Sequence, residues 1–158
     1  QDEKRLLYEL SQMSNKNHLR LTKLALATGF RRSELLSLTW RNIDLKKRII
    51  YIYRKNCAAT DNSSGLRLVP LPEKAQKILE ELQRRDGKVI ELSKGSARHG
   101  FDKARKRAGL ETLRFHDLRH IAISRMWSSG MNALEISACS GHRDIKMLMR
   151  YSHYQLSF

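Results

Sequence analysis

The stretch RIIYIYRKNCAATDNSSGLRLVPL, residues 48–71, decides the fold class of this chain. Its two ends, residues 48–53 and 66–71, are rich in β-branched and aromatic side chains, which favour strands. The polar run ATDNSSG between them contains the residue types that form turns. The pattern predicts a β-hairpin inserted among other elements.

Helical patterns flank this hairpin on both sides. Apolar residues recur every three to four positions, as on the buried face of an amphipathic helix, and Gly29 and Pro72 have the positions of a helix end and a helix start. Helices are predicted over residues 3–13, 19–27, 31–38, 72–86, 98–108, 116–128, 133–140 and 145–154, with KVIEL (88–92) as a candidate third strand. The predicted fold class is α+β: one mostly helical domain with a small antiparallel β-sheet.

The composition favours a polyanionic partner. The chain has 158 residues, with 31 lysines and arginines against 16 aspartates and glutamates, and a net charge of +15. Nucleic acid is the first candidate partner, and the alternative is a charge that serves only solubility. Cys57 and Cys139 are too few for a disulfide framework or a cysteine-based zinc site, which favours a reducing interior such as the cytoplasm. No apolar run approaches the roughly 18 residues of a membrane span.

A glycine turn leads into a helix in ATGFRRSELLSLTW, residues 27–40. Arg31 and Glu34 are three residues apart and share one face of that helix, so the carboxylate could hold the guanidinium in a fixed orientation. Taken alone, the pair is equally compatible with a surface ion pair that contributes under about 1 kcal/mol.

The segment FHDLRH, residues 115–120, gathers one arginine and two histidines. On a helix, His116, Arg119 and His120 lie on one face. Two histidines at this spacing could bind a metal, but Arg119 beside them would repel a cation. An arginine fork matches phosphate oxygens, and an imidazole donates a hydrogen bond or moves a proton. The group therefore suits an anion.

The third segment is SGHRDIKMLMRYSHY, residues 140–154. Tyr151 comes nine residues after His142, a step that would place the two on opposite faces of one uninterrupted helix. A shared site therefore requires His142 to precede the helix, with Asp144 as its N-cap. The alternative is that Tyr151 only packs or lies at the surface.

Together these segments resemble one family. Arg31 in TGFRRSEL, His116 and Arg119 in HDLRH, His142 in SGH and Tyr151 in MRYSH are similar, in order and content, to the catalytic domain of the tyrosine site-specific recombinases, the phage integrase family. The similarity extends over residues 19–153.

The resemblance implies a mechanism without a cofactor or a metal. In this family, arginines and histidine-type residues hold the scissile phosphate while a tyrosine attacks it, which gives a covalent 3'-phosphotyrosyl link. Carried over, Tyr151 is the nucleophile and His116 is the candidate that takes its proton. The phosphate clamp consists of Arg31, His116, Arg119 and His142. Supporting roles fall to Glu34, Asp117 and His120.

One departure concerns the lysine that family members usually carry on the hairpin, where it protonates the leaving 5'-oxygen. The sequence has no lysine between Asn56 and Glu73, so Lys55 is the candidate, with a plain strand-end lysine as the alternative. A second departure is that the chain, residues 1–158, resembles only the catalytic domain, without the family's amino-terminal core-binding domain.

The resemblance also implies binding partners and leaves two alternative functions. The expected partners are double-stranded DNA and further protomers in a tetrameric synapse, with a monomer as the free fragment, no membrane, and a bacterial or phage origin. A type IB topoisomerase is the enzymatic alternative, because it uses similar chemistry without exchanging partners. The other alternative is a non-catalytic DNA-binding module, in which the clamp residues only bind a phosphate.

Overall fold

The structure is a computed structural model that describes residues 1–53, 65–82 and 85–151. It confirms the α+β class, with helices around one small sheet. The elements in chain order are α1 (Asp2–Ser11), α2 (Asn17–Thr28), α3 (Arg32–Ser37), a 3-10 turn (Trp40–Asn42), β1 (Ile43–Asp44), β2 (Ile49–Tyr53), β3 (Leu66–Pro70), α4 (Glu73–Glu80), α5 (Lys94–Arg107), α6 (Phe115–Ser128), α7 (Ala133–Ser140) and α8 (Ile145–Met149).

The sheet is antiparallel in the order β1-β2-β3. Strands β2 and β3 pair with Ile50 opposite Val69 and Tyr53 opposite Leu66, which confirms both predicted strands of the hairpin. Strand β1 extends the sheet on the other side of β2. The Asp44 carboxylate accepts a hydrogen bond from the Lys47 N–H at 2.9 Å, inside the turn that joins the two strands.

The prediction of a third strand at residues 88–92 is wrong. Only one bridge, between Thr39 and Lys88, and one hydrogen bond from the Val89 N–H to the Leu38 carbonyl tie this segment to another strand-like stretch. Val89 and Ile90 are both buried although they are adjacent. They therefore pack into the core as a loop, because a paired strand would alternate the two side chains between its faces.

Several helices begin or end at other residues than predicted. Helix α5 begins at Lys94, four residues before the predicted start, because the Ser93 hydroxyl oxygen accepts a hydrogen bond from the Ser96 N–H at 3.0 Å. Helix α4 ends at Glu80 and not near residue 86. Helix α8 ends at Met149, and the predicted end at residue 154 lies outside the described residues.

The core is built around α2, which packs against α1, α3, α4 and α6. Leu21, Leu24 and Ala25 of α2 are at most 2% exposed, as are Leu118 and Ile123 of α6. Gly29, at the end of α2, lies beside Arg119 and Ala122 of α6, and this junction positions the site. None of the helices in the described part of the chain has the length and apolar character needed to cross a bilayer.

Candidate active site

Arg119 on α6 is the most buried charged group of the site. It is only 3% exposed, and its Nη1 donates a hydrogen bond to the Gly29 carbonyl at 2.7 Å. Gly29 is the C-cap of α2 with φ of 69°, a left-handed conformation that glycine adopts without strain. Burial, and secondarily the charge of Arg31, lowers the pKa of Arg119 to about 10. The guanidinium therefore stays protonated at neutral pH.

His142 lies directly beside this guanidinium, after the Gly141 C-cap of α7. Its Nδ1 is 3.3 Å from Arg119 Nη2 and 2.7 Å from the Ser140 hydroxyl oxygen. An arginine can only donate, so Nδ1 accepts and the neutral ring carries its proton on Nε2. Burial, followed by the charge of Arg119, lowers the pKa of His142 to about 4. At pH 7 His142 is thus a neutral hydrogen-bond donor through Nε2.

Tyr151 follows α8, whose N-terminus is capped by Asp144 through a 2.9 Å hydrogen bond from the Lys146 N–H. His142 precedes that helix, as a site shared with Tyr151 requires. The tyrosine is 7% exposed, and its hydroxyl forms a short contact with Nδ1 of His120, with the two ring centroids 5.7 Å apart. Tyr154 lies outside the described residues.

The predicted shared face of α6 is partly as expected. The rings of His116 and His120 meet edge to face with centroids 4.9 Å apart. However, the histidine in contact with the Tyr151 hydroxyl is His120, which was expected only to support the site, and not His116. Burial is the main cause that lowers the pKa of both histidines, which favours the neutral rings, and the contact with the hydroxyl favours His120 as the proton acceptor.

Arg31 and Glu34 pair at the start of α3, as their spacing predicted. The Glu34 carboxylate accepts from the Arg31 backbone N–H at 3.0 Å and from Arg31 Nη1 at 3.4 Å. The Arg31 side chain stays 47% exposed, whereas that of Glu34 is 16% exposed. The carboxylate therefore caps the helix and orients a guanidinium that still faces solvent.

Arg67, which also binds Glu34, is not among the residues predicted from the sequence. Arg67 lies on β3, is 7% exposed, and donates to both carboxylate oxygens of Glu34 at 3.3 and 3.4 Å. The sequence did contain a signal: in LRLVPL, alternation places Arg67 on the same face as Val69 and Leu71, both buried. A charged residue on the inward face of a strand needs a partner.

Asp117, for which a supporting role is predicted, contacts Arg114 at the start of α6. Its carboxylate accepts from the Arg114 backbone N–H at 2.7 Å and pairs with the Arg114 side chain at 3.3 Å. These contacts cap the first turn of α6. Asp117 therefore fixes the beginning of the helix that carries His116, Arg119 and His120.

Two clefts open beside Arg31. One, of about 510 Å³, is lined by residues that include Glu34 and Arg67. The other, of about 280 Å³, is lined by residues that include His116 and Arg119, and no carboxylate stands among the described residues that line it. Because Arg31 lines both clefts, cationic groups from α3 and α6 face the same space, and this space suits an anion.

One sequence prediction cannot be placed in the structure. Lys55, the candidate acid, lies outside the described residues. Within residues 1–53, 65–82 and 85–151, no group of three histidine, cysteine, aspartate or glutamate side chains is arranged to hold a metal ion.

Comparison with known proteins identifies relatives. The sequence profile of the phage integrase family matches residues 1–157. Over 132 residues the chain is 38% identical to the shufflon-specific DNA recombinase of Escherichia coli, covering 82% of this chain and 33% of that protein. Over 151 residues it is 28% identical to the integrase of Salmonella phage P22, covering 84% of this chain and 38% of that protein. The chain thus spans well under half of the length of these relatives.

Solved structures agree with this assignment. The catalytic domain of bacteriophage HP1 integrase matches with a TM-score of 0.76 at 28% identity, covering 97% of this chain and 84% of that one. XerA recombinase matches with a TM-score of 0.71 at 20% identity, covering 96% of this chain and 56% of that one, a likeness in fold alone. Since the family profile covers nearly every residue, the chain belongs to the phage integrase family, the tyrosine recombinases.

Proposed function

We propose that residues 1–158 are the catalytic domain of a site-specific recombinase or integrase that cuts and rejoins DNA through Tyr151. One observation carries the proposal. The Tyr151 hydroxyl contacts His120 on α6, and the residue before that histidine, Arg119, is itself bonded to His142. The proposed nucleophile thus lies beside the proposed proton acceptor and anion-binding group of α6, with His142 added from the turn after α7.

The clamp residues have the charges that phosphoryl transfer requires. Attack on a phosphodiester places extra negative charge on the non-bridging oxygens, and preorganised donors directed at those oxygens lower the barrier. In our proposal, Arg31 and Arg119 supply positive charge, and His116 and His142 supply neutral donors. Burial of Arg119 strengthens its attraction for the phosphate, since less water screens it.

The nucleophile must lose a proton, because a phenol with a reference pKa near 10 is protonated at neutral pH. We assign this step to His120, whose Nδ1 touches the hydroxyl, with His116 as the alternative acceptor. The Tyr151 oxygen then bonds to phosphorus while the bond to the 5'-oxygen breaks. The leaving oxygen takes a proton, for which Lys55 remains the proposed donor.

The covalent link conserves the energy of the broken bond, so religation needs neither a nucleotide cofactor nor a metal. The reverse step would transfer the 3'-phosphoryl group from Tyr151 to a 5'-hydroxyl. If that hydroxyl belongs to a second DNA, recombination results.

The proposed partner is double-stranded DNA. The net charge of +15 supports this, and solved relatives of similar fold include XerH bound to a palindromic difH substrate and lambda integrase bound as a dimer to a core site. We further propose assembly with other protomers on DNA in a tetrameric synapse and action in the bacterial cytoplasm, in keeping with bacterial and phage relatives.

Recombination is favoured over topoisomerase activity by the relatives, which are named recombinases and integrases. A non-catalytic DNA-binding module is disfavoured by the part-buried contact between Tyr151 and His120, which a phosphate cradle would not need.

Covalent trapping tests the proposal. The protein's preferred site is first selected from a randomised duplex library. The full-length protein is then incubated with a labelled, nicked duplex that carries this site, and adducts are separated on a denaturing gel. We expect an adduct with the unchanged protein and none with Tyr151→Phe, which removes only the attacking oxygen. Tyr154→Phe is the matched control and should still form the adduct. An adduct that persists in Tyr151→Phe would contradict the assignment.

A further inference from the structure

Arg67 lies where two parts of the candidate site meet. On one side it binds both carboxylate oxygens of Glu34. Its guanidinium also lies over the ring of Phe30, 5.4 Å from the centroid. On the other side it packs against Gly141, where a Cβ atom would overlap the guanidinium. Arg67 thus touches both the segment that carries Arg31 and the turn just before His142.

The charges in this cluster are unusual for an ion pair. Glu34 is shared between two arginines: Arg67, which is buried, and Arg31, which remains half-exposed toward the clefts. With Glu34 alone, Arg31 would belong to a neutral pair and attract an anion weakly. The second guanidinium leaves the three side chains with a net charge of one positive, and the exposed Arg31 is the member that can present it.

We propose that Arg67 is a positioning residue: it neutralises and fixes Glu34 so that Arg31 keeps its charge and orientation for a DNA phosphate, and it holds the turn that leads to His142. The inference rests on the proposed function for the identity of the anion. Arg67 itself need not touch DNA, because it is 7% exposed.

A purely architectural arginine would behave differently. If Arg67 only filled space between β3 and α7, its loss would lower stability, and the charge on Glu34 would not matter for DNA. If Arg67 balances Glu34, removing the carboxylate charge should compensate for removing the arginine. The double variant Arg67→Met/Glu34→Gln restores the net charge of one positive and separates the two cases.

DNA binding measures this charge directly. The full-length protein is titrated against a fluorescent 30-bp duplex of random sequence at several salt concentrations. The logarithm of the association constant falls linearly with the logarithm of the salt concentration, and loss of one phosphate contact makes this slope shallower by about 0.9. We expect that loss for Arg31→Ala and for Arg67→Met, and a slope close to that of the unchanged protein for Arg67→Met/Glu34→Gln. An unchanged slope in Arg67→Met, or a double variant that stays at the shallower slope, would overturn the proposal.

Cleavage of the nicked duplex gives a second readout in the same variants. We expect Arg67→Met to slow single-turnover cleavage by about 100-fold, the size of losing one oxyanion donor, and the double variant to recover at least a tenth of the original rate. Thermal unfolding ensures that all variants are measured while folded. If Arg67→Met does not fold, Arg67→Lys replaces it: we expect an unchanged salt slope, because the charge remains, with slower cleavage, because lysine cannot bind both carboxylate oxygens. A shallower slope or unchanged cleavage in Arg67→Lys would then refute the inference.

The two proposals can fail separately. If the unchanged protein forms no adduct, the proposed function fails, and the salt slopes still decide whether Arg67 balances Glu34. If the protein cleaves DNA but the slopes of Arg67→Met and its double variant match that of the unchanged protein, the inference fails and the function stands.

Discussion

Arg119 and Arg31 both line the same cleft, yet the molecule holds them in different ways. Arg119 is buried and bonded to neutral groups, the Gly29 carbonyl and the His142 ring. Arg31 is half-exposed and is held by Glu34, which in turn is held by Arg67. We call these the buried flank and the charged flank. The buried flank depends on helix packing and backbone geometry, and the charged flank depends on a balance of charges.

The comparison predicts that the two flanks respond to different changes. Hydrogen bonds from a buried cation to neutral groups are little screened by salt but fail when the donor changes shape. Ion pairs near solvent tolerate changes of shape and weaken with salt.

The largest expected effect is that of Arg119→Lys. A lysine ammonium is compact and cannot replace a planar fork that reaches both the Gly29 carbonyl and His142 Nδ1. We expect single-turnover cleavage to fall by about 1000-fold or more, in line with the loss of a preorganised donor. Arg31→Lys is the matched variant on the charged flank and should lose less, because Glu34 can still pair with an ammonium. Equal losses would remove the distinction between the flanks.

The second prediction concerns His120 and the proton of Tyr151. If His120 accepts this proton, His120→Asn should slow cleavage by about 100-fold, the usual scale of general-base catalysis. The rate should rise as pH increases through the pKa of His120, which burial keeps below the ordinary value, and this rise should be absent in His120→Asn. His116→Asn, measured in parallel, should keep the rise. If only His116→Asn loses it, His116 is the acceptor.

Some of these features can be predicted from the sequence and others cannot. The hairpin strands and the helices follow from local periodicity, and the Arg31–Glu34 and Asp144 contacts lie within one helical turn. Two other features depend on distant segments: Arg67 meets Glu34 from another element, and His120 meets Tyr151 across 31 positions. Sequence spacing contains no such distances, so the resemblance to a family predicted roles for single residues but not which of them touch.

The loop at residues 88–92 failed as a strand for a related reason. Its apolar residues have the composition of a strand. A strand forms, however, only where another strand is free to pair with it, and that depends on the tertiary arrangement. Strand β1, only two residues long, was missed because so short a strand has no pattern of its own.

The third prediction tests the buried flank through stability. Burial lowers the pKa of His142 from 6.5 to about 4, so between these values the unfolded chain binds a proton that the folded chain does not. As far as His142 is concerned, the free energy of unfolding should therefore have its full value above about pH 6.5 and decline as pH falls toward 4. After allowance for its partial exposure, we expect His142 to contribute about 1–2 kcal/mol of this decline.

Urea unfolding of the unchanged protein and of His142→Asn at pH 7 and pH 5 checks this prediction. The difference between the two pH values should be smaller in His142→Asn. His99, which is on α5 and lines neither cleft beside Arg31, provides the control variant His99→Asn, which should keep the full difference. An equal difference in all three proteins would show that His142 is not held in a neutral state by the fold.

The smallest expected effect comes from Gly29→Ala, which changes only the backbone that supports Arg119. Gly29 has φ of 69°, and an added Cβ would meet Ala122 and Met126 at ordinary contact distances of 3.5 and 3.6 Å. The cost is therefore conformational, about 1 kcal/mol for an L-residue in the left-handed region. Gly87→Ala is the matched control, since Gly87 has φ of 67° and nothing within 4 Å of its added Cβ. Both variants should lose similar stability in urea unfolding, but only Gly29→Ala should slow cleavage, by about 5-fold, because a shift of the carbonyl moves the Arg119 guanidinium. Equal cleavage rates in the two variants would mean that Arg119 keeps its place without the Gly29 carbonyl, and the buried flank would then depend on side-chain packing alone.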